Sequence, residues 1–436
     1  MVTLSTPILP FSFVDGGAVS VAFGIAVIAF FVMRFFTRDI MVNELDLFVM
    51  TNVTMAFSVA LVFSYWRAHE MWSADFVLIL GLMSTFYVSV FLTGKLLGIK
   101  ALKDASKVVA FEAMRKDHYR NVALVVTFVI GVPALTAITL ASLRAGFDSQ
   151  FAIERDAGPF RLLMEGGVPL FLYYAFSTNI VTRKFCNVWM VGIVLLVSPL
   201  GGAKSALLVD LLTYFTVAGL LRPEIEVKRL VKLSPVLALA LPTMLIPFIV
   251  QGLSISAGLF QSSVRFFLSG DIYYYTFVAS RPTEFFHYYQ WWSYLLHPFL
   301  RLVGQRAYRF PLGSILYSHY IGQQTVSGPN PHATVLGFVL FNGNVLLAVA
   351  FCSLIGVLTV VMRYWAFRIN FVRRLPPVLR STLSAILAFN SPILLLDFGT
   401  AERYLIAGFF VMFSIWIVCL LLEEMGDYRH DDATCA

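Results

Sequence analysis

The sequence predicts an all-α, polytopic integral membrane fold, and three observations predict it. Of 436 residues, 59% are apolar and 13% charged, a balance that a water-facing surface cannot accommodate. The mean hydropathy is +0.80. The apolar residues also come in uninterrupted runs, many close to the roughly 20 residues that carry a helix across about 30 Å of hydrocarbon. A transmembrane β-barrel would alternate apolar and polar positions, and these runs do not.

Eleven spans follow along the chain, each an apolar run set off by charged or turn-forming residues. They fall near 18–37, 46–66, 74–95, 121–143, 162–180, 186–200, 206–221, 234–259, 343–365, 381–397 and 404–422. A split helix near 331–342 would make twelve. The first three spans follow an uncharged leader and end on Arg34 and Arg38, then on Lys95. Between the third and fourth lies a basic cytoplasmic loop, 96–120, with Lys100, Lys103, Lys107, Arg115 and Lys116. The sixth and seventh are short and joined by a hairpin at 198–205, where Gly201 and Gly202 allow a tight turn and Lys204 leaves a point charge open to an anion.

Assigning alternate loops to the cytoplasm collects 21 of the 32 lysines and arginines on one side, Arg363, Arg368, Arg373, Arg374 and Arg380 among them. That bias places the amino terminus outside and the carboxyl terminus inside. It also makes the net charge of +7 a topology signal in place of a nucleic-acid footprint. Four scattered cysteines, Cys186, Cys352, Cys419 and Cys435, have neither disulfide-framework nor zinc-site spacing.

The long outward loop, 260–331, holds 19 aromatic residues in 72, so it is expected to fold against the membrane surface through interfacial helices and not to be a linker. Its rings are either an aromatic belt or a platform for stacking sugars. Arg265, Arg281, Arg301, Arg306 and Arg309 stand in this loop against the positive-inside trend. Guanidinium forks match phosphate oxygens, so the five point to a phosphorylated or pyrophosphorylated lipid; the structural alternative pairs them with Asp271, Glu284 or backbone carbonyls. A second outward loop, 144–161, carries Arg144, Asp148, Glu154, Arg155, Asp156 and Arg161 and runs into Glu165, Gly166 and Gly167.

The densest motif runs from Ser327 through Pro329, Asn330, Pro331 and His332 to Gly337 and Gly343. Its prolines start a helix at Pro331–His332, whose positive end is expected at the outer surface, where it suits an anion. His332 there would be a neutral imidazole able to accept a proton. The layout, with one long outward loop late in the chain, outward arginines and a Pro-Asn-Pro-His segment leading into a helix, resembles the bacterial Wzy-type O-antigen or oligosaccharide repeat-unit polymerases. His332 and Gly343 also resemble the motif of the O-antigen ligase relative, in which a polar residue follows the histidine; here it is Ala333. The spacing Arg155 to Gly166 is similar to an arginine-ten-glycine motif of some polymerases, and the long loop has no second copy of it.

The resemblance implies a GT-C-like, metal-independent glycosyltransferase of a bacterial inner membrane that works at the periplasmic face. It would transfer glycan from an undecaprenyl pyrophosphate donor to a lipid-linked acceptor, with a chain-length regulator protein as a further partner. On this reading His332 and Arg281 are catalytic, and Arg155, Arg161, Lys204, Arg265 and Arg301 bind pyrophosphate. Asp271, Tyr273, Glu284 and Asn330 hold the glycan. No cofactor, metal or nucleic acid is expected. A ligase acting on lipid A core, or a transporter of the same lipid, is the alternative. The residues are compatible with the polymerase: the sequence has no phosphate-binding loop and no Asp-x-Asp pair in an outward loop.

Overall fold

The computed structural model describes residues 16–144, 159–182, 188–200, 206–221, 271–279, 332–341 and 343–434. All regular structure among them is helical. The helices are α1 (Gly16–Thr37), α2 (Phe48–Arg67), α3 (Ser73–Leu96), α4 (Ile99–Lys116), α5 (Arg120–Arg144), α6 (Pro159–Thr182), α7 (Val188–Leu200) and α8 (Ala206–Leu221). Then come α9 (Asp271–Tyr274) with a π-helical turn Tyr275–Ala279, α10 (Ala333–Leu340), α11 (Val345–Arg368), α12 (Pro377–Asn390), α13 (Ile393–Leu396) and α14 (Phe398–Thr434).

Seven stretches of the described residues are long and apolar enough to cross a membrane: 20–37, 48–67, 73–96, 120–142, 345–371, 377–396 and 398–424. They match seven of the eleven expected spans. Of the other four, the span at 234–259 lies outside the described residues. Helices α7 and α8 have only 13 and 16 residues, about 20 and 24 Å at 1.5 Å per residue, shorter than the hydrocarbon core. Helix α6 is long enough, but nearly every side chain from Glu165 to Ile180 is buried in protein. A helix wrapped by other helices needs no lipid-facing surface, so it can carry Glu165, Ser177, Thr178 and Asn179 in its interior.

Close helix approach rests on small residues. A Cβ on Gly131 of α5 would stand 2.6 Å from the backbone of Gly167 in α6. One on Gly166 would meet the Ala407 carbonyl of α14 at 2.5 Å, and one on Gly356 of α11 the Phe86 carbonyl of α3 at 2.7 Å. The stretch 96–120, expected as a basic loop, is instead mostly the helix α4. It seats Ile99, Ser106, Lys107, Ala110 and Met114 and leaves most of its charges outward. Its Ser106 donates to the Phe367 carbonyl at 3.0 Å, and Lys103 to the Met41 carbonyl at 2.8 Å. These bonds gather the α1–α2 loop, α4 and the end of α11 at the end of the bundle that, among the described residues, is richest in basic side chains.

Arg363, expected among the charges of a cytoplasmic loop, is instead buried inside α11. It makes a two-pronged ion pair with Asp46 at 2.8 and 3.1 Å, donates to Ser391 at 2.7 Å, and lies 4.8 Å over the Phe48 ring. It is therefore a clasp and not a topology charge. With every guanidinium arm engaged, its desolvation is offset by charge-assisted hydrogen bonds.

Candidate functional site

The first candidate is assembled where α9 meets the start of α10. Helix α10 folds back on α11 through a turn that uses Gly343 at φ +74°, and Asn344 caps α11 by accepting from the Leu347 N–H at 3.2 Å. Gly337 lets the Phe351 ring close on α10, since a Cβ there would meet it at 2.7 Å. The glycine that completes the His332–Gly343 spacing is thus the left-handed residue of the hairpin turn. His332 stands at the other end of α10, about 12 Å along the axis from that turn, at the N-cap position.

His332 is only 3% exposed, whereas the sequence placed this helix start at the outer surface. Its Nδ1 is 3.4 Å from the Tyr273 hydroxyl, which is 2.5 Å from the Thr334 hydroxyl. Tyr274 stacks on Tyr65 of α2 at 4.7 Å and Phe277 on Phe338 at 4.9 Å, which anchors the α9 segment against α2 and α10. Burial pushes the His332 imidazolium down to about 4 and the Tyr273 phenol well above its usual range. Both groups are therefore neutral near pH 7, as expected for His332; burial is the main cause.

The second candidate lies at the opposite end of the bundle from the basic loops. Arg161 Nε donates to Glu165 Oε1 at 2.7 Å, and an Arg403 guanidinium nitrogen stands 3.7 Å from the same oxygen. The Glu165 side chain is 3% exposed. Its Oε2 has no hydrogen-bond partner among the described residues, and neither has the buried Oε2 of Glu402. Arg403 also donates to Thr400 at 2.8 Å, and Thr400 donates to Asp397 at 2.5 Å. Asp397 in turn accepts the Thr400 N–H at 3.0 Å, so it caps the start of α14 and fixes the arginine's platform. Gly166 seats α6 on α14 next to this cluster, which gives the glycine of the Arg155–Gly166 spacing a packing role.

No protein-family model, curated protein or solved structure matches this chain.

Tyr273 and His332, expected in different roles, are brought together; Arg161 is brought onto Glu165. Asp271 begins α9. Arg155, Lys204, Arg265, Arg281, Glu284, Arg301 and Asn330 lie outside the described residues. No group of three His, Cys, Asp or Glu side chains among the described residues could hold a metal ion. Arg403 and Glu402 were missed by the sequence reading. Their signal was there, an adjacent acid and base at the start of an otherwise apolar last segment, where ionisable residues are expensive and therefore informative.

The chemistry open to the two clusters differs. Two guanidinium groups meet one carboxylate oxygen, with Asp397 linked to Arg403 through Thr400; planar forks of this kind match the oxygens of an anion. A neutral imidazole can take a proton. One whose conjugate acid titrates near 4 is a weak base, however, and takes a proton from a hydroxyl only as that oxygen bonds to an electrophile.

Proposed function

We propose that this protein is a membrane glycosyltransferase that polymerises undecaprenyl-pyrophosphate-linked oligosaccharide repeat units into O-antigen or a related surface polysaccharide. The site would face the periplasm of a bacterial inner membrane. The observation that carries the reading is the convergence of Arg161 and Arg403 on one oxygen of buried Glu165, at the end of the bundle away from the basic loops. In the reaction the acceptor hydroxyl oxygen bonds to the anomeric carbon of the donor glycan as the bond from that carbon to the pyrophosphate oxygen breaks. The pyrophosphate lipid leaves with the electron pair, its charge met by arginines; the hydroxyl proton goes to His332. Arg281, Arg155, Lys204, Arg265 and Arg301 join the anion's surroundings on this reading, and Asp271, Glu284 and Asn330 the glycan's.

One observation favours a second reading. Glu165 and Glu402 carry buried oxygens within helices, where a transporter of the same lipid would keep its ionisable groups. Purified protein in liposomes, supplied with lipid-linked repeat units on both faces, separates the two, with parallel reactions containing a chelator. The polymerase yields a ladder of products and the transporter only redistributes a fluorescent donor. Arg403→Lys is expected to keep the charge, lose the fork and lower polymer at least about tenfold. His332→Gln, unable to hold a proton near pH 7, is expected to lose about 10²–10⁴-fold in rate while still retaining donor. Absence of a ladder with wild-type protein in an assay that detects flipping would replace the first reading with the second.

A further inference from the structure

A cavity of about 380 Å³ opens at the basic end of the bundle, between the end of α1, the loop that follows it and α4. Its charged lining is Arg34, Arg38 and Lys103 against one carboxylate, Glu44, and Met41, Val42 and Asn43 complete it. The cations are held in place by their neighbours. Arg34 pairs with Glu44, Arg38 lies 4.6 Å over the Phe35 ring and 3.8 Å from Asp39, and Lys103 is tied to the Met41 carbonyl. Asp39 is shared between Lys95 at 2.9 Å and Arg38 at 3.8 Å. Burial, then the neighbouring Lys107, lowers the affinity of Lys103 for its proton against the opposing pull of Asp104, Asp39 and Asp46, and an anion in the cavity would raise it further.

A second feature runs straight into this cavity. Helix α1 is one of the seven membrane-crossing helices and leaves Ile28, Phe31, Val32 and Phe35 exposed at 67, 63, 51 and 49%. The spacing i, i+3, i+4, i+7 puts them on one face, and Arg38, just past the end of α1, lies over the Phe35 ring at its end. We propose that this is a binding site for an anionic phospholipid of the adjacent leaflet, the phosphate held by Arg34, Arg38 and Lys103 and an acyl chain laid along the α1 stripe. A free phosphate would use the cavity and ignore the stripe. A zwitterionic lipid would use the stripe but gain little from three cations. The site stands apart from the proposed transferase clusters, which lie at the other end of the bundle, and does not depend on them.

The test is native mass spectrometry of the delipidated full-length protein titrated with dioleoylphosphatidylglycerol, dioleoylphosphatidylcholine and inorganic phosphate. Wild type is expected to retain one phosphatidylglycerol in preference to phosphatidylcholine, and millimolar phosphate should not displace it. The double variant R34Q/R38Q is expected to lose at least about tenfold in affinity, as for two basic residues at a charged surface. Glu44 is 80% exposed, so Glu44→Gln leaves the fold intact, frees Arg34 and is expected to strengthen binding severalfold. Arg115→Gln, on the exposed face of α4, is the control and should change nothing. Equal retention of the two lipids, displacement by phosphate, unaltered affinity in R34Q/R38Q, no gain in Glu44→Gln, or an equal loss in Arg115→Gln would each overturn the site.

Discussion

Burial of His332 has a consequence for stability as well as for chemistry. In the folded protein its imidazolium titrates near 4 against an ordinary value of 6.5, so the folded state refuses a proton that the unfolded chain accepts. The sign follows: stability is full above about 6.5, declines as the pH falls towards 4 and levels off below it. The whole decline is on the order of 3 kcal/mol. Thermal unfolding of wild type and His332→Gln, followed from pH 7.5 downward, isolates this group from the carboxylates, which titrate in both. Wild type is expected to lose ground against the variant between about pH 6.5 and 4. Parallel curves would mean that the ring titrates in the fold as it does in the unfolded chain, and a wild type that gains on the variant as the pH falls would mean that the fold holds the ring protonated. The Tyr273 hydroxyl can donate to Nδ1 or to Thr334, and only the first choice leaves Nε2 as the donor of the ring.

At the scale of the element, α6 shows what apolarity alone leaves out. The run at 162–180 reads as one more span, yet it is less apolar than the seven long spans and almost wholly wrapped by protein from Glu165 to Ile180. What distinguishes α6 is its glycine pair, legible in the sequence but not interpretable without the partners Gly131 and Ala407, 36 and 241 residues away. A valine at 167 would drive its Cβ to 2.6 Å from the Gly131 backbone, which has no side chain to move aside. Gly167→Val is expected to cost about 1–3 kcal/mol or more as α5 is pushed off α6, seen as a lower midpoint in thermal size-exclusion. Gly192→Ala in α7 meets nothing within 4 Å and should leave the midpoint unchanged, which rules out a general glycine effect. The same limit explains α4 and Arg363. Ser106, Ala110 and Met114 recur at helical spacing within the basic stretch, but its density of charge reads as a loop. Arg363 reads as a loop charge because its partner, Asp46, lies 317 positions away. Of the clusters, His332 and Arg161 were legible as unusual residues in unusual places; their partners came from the fold.

At the scale of the whole molecule, the charge bias still argues for the expected orientation when Arg363 is set aside. Lys95, Lys103 and Lys107 with Arg34 and Arg38 sit together around the α1–α2 loop and α4, and the loop ahead of α12 adds Arg373 and Arg374. The opposite ends of α2 and α3 carry Arg67 and Asp75, with little net charge between them. A periplasm-active phosphatase fused after Glu70, between α2 and α3, is therefore expected to be active, and one fused after His118, between α4 and α5, inactive. Fusion near residue 310, in the long loop, should behave like the first. The outcome reaches beyond topology. If the pattern were reversed, the Arg161–Glu165–Arg403 cluster would face the cytoplasm, on the wrong side for a periplasmic polymerase. The transferase proposal in that form would fall. The phospholipid cavity would survive and move to the other leaflet, because its argument needs only a membrane beside α1 and cations at the end of its apolar face.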